Sequence, residues 1–183
     1  MSRPALLLTS ALLITLLGAC SLLPAEEEPE APAGLLEVDR NRFDARLITT
    51  PPERVVFDIP YRTRNSTRDT LYLTGCLKPD PPLLEKRVDG EWVPAYREVR
   101  LLCWSPPWVL APGEVRRDTA RVEGFLPGQN IGQVFHTSIE GTYRLKREIY
   151  AGLTDEKYPL GKDTLSVDRR VSNTFEVERT EVE

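Results

Sequence analysis

Three cysteines, one histidine and three tryptophans hold most of the chemical options of this 183-residue chain. A serine nucleophile needs a base within hydrogen-bond reach, and His136 is the only histidine on offer. Ser138 stands two residues away, where side chains of one strand share a face. Such a pair arises often by coincidence, so His136 reads as a structural or exposed histidine and no catalytic residue is assigned. Asp155, Glu156, Asp163 and Asp168 offer oxygen ligands of the kind Ca²⁺ takes, but without an EF-hand spacing. A solvated loop is the simpler reading, and no metal or cofactor site is assigned. With 28 acidic residues, pairs of carboxylates are inevitable and do not point to glycoside hydrolysis. No phosphate-cradling glycine loop and no zinc motif is present. The chain reads as a non-enzyme.

Trp104-Ser105-Pro106-Pro107-Trp108 is the most distinctive local segment. Two indoles flanking a stiff Pro-Pro form either an exposed aromatic platform for sugar or protein, or two caps on a core at strand ends. A rigid loop of this kind also suits a protease inhibitor, because a preorganised loop loses little entropy on binding.

The amino terminus is a short basic start, Met1-Ser2-Arg3, followed by an apolar run from Ala5 to Leu17. Thirteen residues span only about 20 Å as a helix, too little for a hydrocarbon core of about 30 Å. The run ends in Leu17-Gly18-Ala19-Cys20. Those four residues resemble the lipobox of bacterial lipoproteins. The resemblance implies that residues 1–19 are a signal peptide and that Cys20 becomes the lipid-bearing first residue. Several acyl chains anchor stably where one does not. Ser21 after the cysteine resembles the default sorting to the outer membrane where the host has two membranes. Residues 20–34, rich in Glu, Pro and Ala, read as a disordered acidic linker. Arg3 is the only charged residue before Cys20, so the mature chain keeps 23 Lys and Arg against 28 Asp and Glu. That balance argues against nucleic acid as a partner.

With Cys20 taken by lipid, Cys76 and Cys103 remain, and an even remainder in an oxidising compartment implies a disulfide. A metal site is the rival reading, but two cysteines and one histidine fall short of four ligands.

From residue 35 to 183 the chain alternates with period two and shows no convincing amphipathic helix. Phe57, Ile59 and Tyr61 face one way, and Pro60 among them suggests an edge strand. Leu71 and Leu73 alternate similarly until Gly75, where a bulge is expected. Leu84, Lys86 and Val88 lead into Asp89-Gly90 and Glu91-Trp92-Val93, a hairpin signal. Val99, Leu101 and Cys103 alternate. Ala111-Pro112-Gly113-Glu114 is turn chemistry. Tyr143, Leu145 and Ile149 face one way, and Thr174–Glu178 reads as a last strand. About eight such strands predict an all-β antiparallel sandwich.

Leu110-Ala111-Pro112-Gly113-Glu114 and Gly141-Thr142-Tyr143-Arg144-Leu145 resemble the late strands of bacterial immunoglobulin-like domains, and Leu83–Lys86, Asp89-Gly90 and Trp92 fit the same family. The resemblance covers roughly residues 54–151. Only 26 residues separate Cys76 from Cys103, fewer than in antibody-type domains. The resemblance implies adhesion, scaffolding or binding, although fold alone licenses no function. The expected function is a non-enzymatic, lipid-anchored interaction or envelope-accessory module. Its partner would be an envelope protein or polysaccharide. The alternative is a ligand-binding or protease-inhibitory lipoprotein using the Trp104–Trp108 loop.

Overall fold

Burying every second side chain on one face of a sheet requires a period of two, and that period dominates here. The computed structural model describes residues 34–96, 105–128, 135, 137–155 and 160–181. Among them the strands in chain order are β1 (Leu36–Val38), β2 (Arg42–Ile48), β3 (Arg54–Arg64), β4 (Leu71–Leu73), β5 (Leu83–Val88) and β6 (Glu91–Tyr96). There follow β7 (Trp108–Leu110), β8 (Val115–Phe125), β9 (Gly141–Lys146), β10 (Ile149–Leu153), β11 (Gly161–Thr164) and β12 (Phe175–Glu181). A single 3-10 turn, Val167–Arg169, is the only helical element among the described residues. The described residues are all-β, in two sheets.

The larger sheet has eight strands. β1 and β2 lie in succession along one side of β3, and β8 runs the full length of its other side. β2 also pairs in parallel with β12, and the sheet continues antiparallel through β9, β5 and β6. Its two ends meet. The Tyr96 hydroxyl of β6 donates to the Glu123 carbonyl of β8 at 2.8 Å and accepts from the Glu123 N–H at 3.3 Å. The sheet therefore folds over on itself into two layers, β1-β3-β8 and β12-β9-β5-β6, with β2 paired both to β3 and to β12. Their inner faces share one core containing Phe57, Ile59, Val122, Tyr143, Leu145 and Phe175. Phe43 meets Phe175 edge to face with centroids 5.2 Å apart, and Phe135 reaches in against Tyr96 at the same distance.

The smaller sheet, in the order β11-β10-β4-β7, covers a second core of Leu35, Leu71, Leu73, Leu110 and Ile149. Asn65 secures the junction near it. Its side-chain amide donates to the carbonyls of Asp69 and Leu110 at 2.8 and 2.9 Å, and its oxygen accepts from the Thr67 N–H at 3.0 Å.

The Asp89-Gly90 hairpin joins β5 to β6, with both residues at positive φ (50° and 89°), as a type I′ turn demands. Three local expectations are corrected. Pro60 lies in a central strand, not an edge. Its carbonyl accepts from the Asp39 N–H at 3.3 Å just where β1 gives way to β2, so the N–H that proline lacks falls at a break in the ladder. No bulge carries β4 past Gly75; the strand ends at Leu73, and the Asp80 N–H closes the following loop on the Thr74 carbonyl at 2.7 Å. Ile149 does not share a strand or core with Tyr143 and Leu145 but opens β10 in the smaller sheet. The chain leaves the larger sheet at Arg147, whose buried guanidinium donates to Thr63 Oγ1 at 3.1 Å and to the Asp80 carbonyl at 2.6 Å. The expected strand around Val99–Cys103 lies outside the described residues.

Candidate functional site

Antiparallel register sets Glu85 of β5 directly opposite Arg144 of β9 on one side and Pro94 of β6 on the other. All three point away from the core, because their neighbours Leu84, Ala95 and Leu145 are buried. Arg144 Nε donates to Glu85 Oε2 at 2.8 Å, and Lys146 Nζ donates to Oε1 at 3.1 Å. The Arg144 guanidinium also stacks over the Trp92 ring, 4.4 Å from its centroid. A carboxylate only 4 % exposed thus lies beneath two partly exposed cations and a half-buried indole. The stacking and the charge-assisted bonds hold the cations in fixed positions. A rigid aromatic and cationic surface with one excess positive charge results. Further along the same layer Thr142 Oγ1 donates to Glu176 at 2.7 Å, and Arg42 pairs with Glu178.

Inside the same hairpin, Lys86 faces the core side at 5 % exposure. Its Nζ lies 2.7 Å from the Ser138 carbonyl and 2.6 Å from Ser138 Oγ. The Tyr143 ring lies beneath, 5.7 Å from Nζ to the centroid. Tyr143 Oη itself donates to the carbonyls of Ser138 and Ile139. Burial lowers the pKa of Lys86, against an opposing pull from Glu140, and burial raises that of Tyr143. Ser138 is an exposed residue, and its hydroxyl touches a buried amine.

The residues singled out from sequence fall in different places. His136 lies outside the described residues, as do Cys20, Cys103, Trp104 and Glu156. Trp108 begins β7, half-buried against the smaller core, with Arg116 over its ring at 5.7 Å. Pro106 is exposed and Pro107 half-buried. The Trp108 Nε1–H is buried without an acceptor among the described residues. Cys76 sits in the bend after β4, and Ser105 Oγ donates to its carbonyl at 3.2 Å. Asp163 lies in β11 and Asp168 in the 3-10 turn. No group of three or more potential metal ligands is found among the described residues.

Sequence reasoning gave no functional role to Glu85, Lys86, Trp92, Arg144 or Lys146, placing them only in strands or in the family resemblance. For Lys86 the signal was present: a lysine in the apolar phase between Leu84 and Val88 must either be paired inside or break the strand. For the outer face nothing in the spacing couples Glu85 to Arg144, since strand pairing alone brings them together.

No protein-family model matches the chain, and none of the curated proteins matches it.

Proposed function

We propose that this chain is a lipid-anchored, extracytoplasmic domain of immunoglobulin-like topology that serves as an interaction module of the cell envelope. The anchor rests on the lipobox resemblance at Leu17–Cys20, which would hold the domain to a membrane through acyl chains on Cys20. Three features of the pairing order support the topology. The first strand is split, with β1 antiparallel to β3 and β2 parallel to β12, while the end of β2 also pairs with β3. β3 pairs with β8, and the remaining strands run β12-β9-β5-β6. The disulfide between Cys76 and Cys103 belongs to the same reading. What supports it is that Ser105, two residues beyond Cys103, donates through its hydroxyl to the Cys76 carbonyl at 3.2 Å.

The outer face around Trp92 carries the functional part. Its indole, its stacked guanidinium and its buried carboxylate are already fixed before anything binds, so a partner meets a surface that loses little entropy on contact. Such a face suits an envelope protein or polysaccharide offering acidic or hydroxyl groups.

A photo-crosslinking residue placed at Trp92 of the lipidated protein in its own envelope tests this reading, with Arg121 on the other layer as the control position. A discrete crosslinked species at position 92 and none at 121 is the expected result. Equal capture at both positions, or none at 92, would reject the interface. The amino terminus of the same preparation, read by mass spectrometry, should begin at an acylated Cys20.

One observation favours a second reading, a ligand-binding or protease-inhibitory loop at Trp104–Trp108. The buried Trp108 Nε1–H has no acceptor among the described residues, and a ligand oxygen would satisfy it.

A further inference from the structure

We propose that Ser138 and Lys86 form a serine–lysine dyad for acyl transfer, with Ser138 Oγ as nucleophile and the Lys86 amine as its base. This goes beyond the interaction reading and does not rest on it; it departs from the expectation of no catalytic residue. The defining diagnostic of an activated serine is a hydroxyl within hydrogen-bond reach of a base that other groups hold in place. Here the Oγ–Nζ distance is 2.6 Å. The Ser138 carbonyl at 2.7 Å and the Tyr143 ring orient the amine.

Three further features separate this arrangement from a lysine that merely staples a loop. The first is the company Lys86 keeps. Among the described residues its hydrogen-bond acceptors are neutral, the carbonyl and hydroxyl of Ser138. A buried ammonium without a carboxylate partner is costly, so burial shifts the balance toward the free amine, which is the form a general base needs. Lysines are tuned for base catalysis by this kind of burial. The charged groups facing it are Glu140, which supports the ammonium, and the Tyr143 phenol; Glu140 is itself paired with Arg179 of β12 at 3.3 Å.

The second feature is that the backbone makes room for the lysine. Gly141 has φ +138°, and a Cβ there would fall 2.8 Å from Lys86 Cε. A side chain at 141 would push the amine away from Ser138. The third is direction. Ser138 is an exposed residue while Lys86 is buried, so a substrate would approach the serine from solvent with the base on the core side.

The substrate class is an acyl donor, an ester or amide. The Oγ–carbon bond forms as the Oγ proton passes to Lys86 Nζ. The bond from the carbonyl carbon to the leaving oxygen or nitrogen then breaks, and Lys86 returns the proton to the leaving group. Water attacks the acyl-serine by the same route, releasing the carboxylic acid and restoring the hydroxyl.

The full chain exposed to an alkyl fluorophosphonate tests the dyad. In this probe Oγ–phosphorus forms, phosphorus–fluorine breaks and fluoride leaves. Peptide mass spectrometry should place the adduct on Ser138 and not on other exposed serines or threonines. The labelling rate should rise with pH through an ionisation below the ordinary lysine value, and should fall about a hundredfold or more in Lys86→Met. No adduct at Ser138, labelling spread equally over other hydroxyls, or a rate unchanged in folded Lys86→Met would each overturn the proposal. The pH profile is read on the unaltered chain, and a profile without that ionisation overturns the proposal even if Lys86→Met does not fold.

Discussion

Tyr61 and Arg147 show how a single buried contact governs behaviour at high pH. Tyr61 is 1 % exposed, with the Arg147 guanidinium 5.6 Å above its ring and its hydroxyl donating to Asp118 at 3.3 Å. Burial, opposed by the Arg147 charge, pushes the Tyr61 phenol up to about 12. The unfolded chain releases this proton near 10, whereas the folded chain retains it to about 12. The folded state therefore binds more protons between those values, and stability falls as pH rises through that window. Urea titrations at pH 9 and pH 11 should show this loss, and Tyr61→Phe should reduce it by roughly 1 to 2 kcal/mol. A loss of equal size in Tyr61→Phe would assign the effect elsewhere. The Tyr143 phenol, also raised by burial, contributes in the same direction.

At the scale of elements, Asn65 joins parts that the strand pattern leaves separate. It follows β3, yet its side chain reaches the Leu110 carbonyl at the end of β7 and the Asp69 carbonyl in the loop before β4. Its backbone carbonyl accepts from Gly113 at 2.8 Å and its N–H donates to Glu114 at 2.9 Å, fixing the Ala111–Glu114 turn that launches β8. Asn65 is fully buried with both ends of its amide satisfied. Replacing it with alanine leaves a buried carbonyl and the Thr67 N–H without partners. Asn65→Ala should cost about 2 to 4 kcal/mol, seen as a lower urea midpoint at unchanged slope. A change below about 0.5 kcal/mol would mean that water replaces the amide without penalty.

The whole molecule divides its burial between two cores, one enclosed by the folded-over eight-stranded sheet and one beneath the four-stranded sheet. The loop after β4 carries Cys76, and the proposed bridge to Cys103 would close a loop of about 28 residues, worth about 3.5 kcal/mol in the chain-entropy model. Cys76→Ser should accordingly lower Tm by roughly 10 °C, measured by calorimetry on the oxidised protein. An unchanged Tm would remove the bridge from the account of stability. The outer face around Trp92 and the Lys86–Ser138 pair lie on opposite sides of one hairpin, β5–β6 with its neighbour β9. The same register that turns Glu85 outward toward Arg144 turns Lys86 inward, because successive residues of a strand point to opposite faces.

Much of the fold was legible in the residues themselves. Alternation placed Phe57, Ile59, Tyr61, Leu71, Leu73, Tyr143 and Leu145 on buried faces, and Asp89-Gly90 marked the hairpin, since side-chain period and turn geometry are local properties. The tertiary structure alone decided which strands are neighbours. It made Pro60 central, sent Ile149 to a second core, and set Glu85 against Arg144 and Lys86 against Ser138 across separations of 59 and 52 residues. A strand's sequence states which face of it is dry, but hydrogen-bonded pairing between distant strands determines what that face touches.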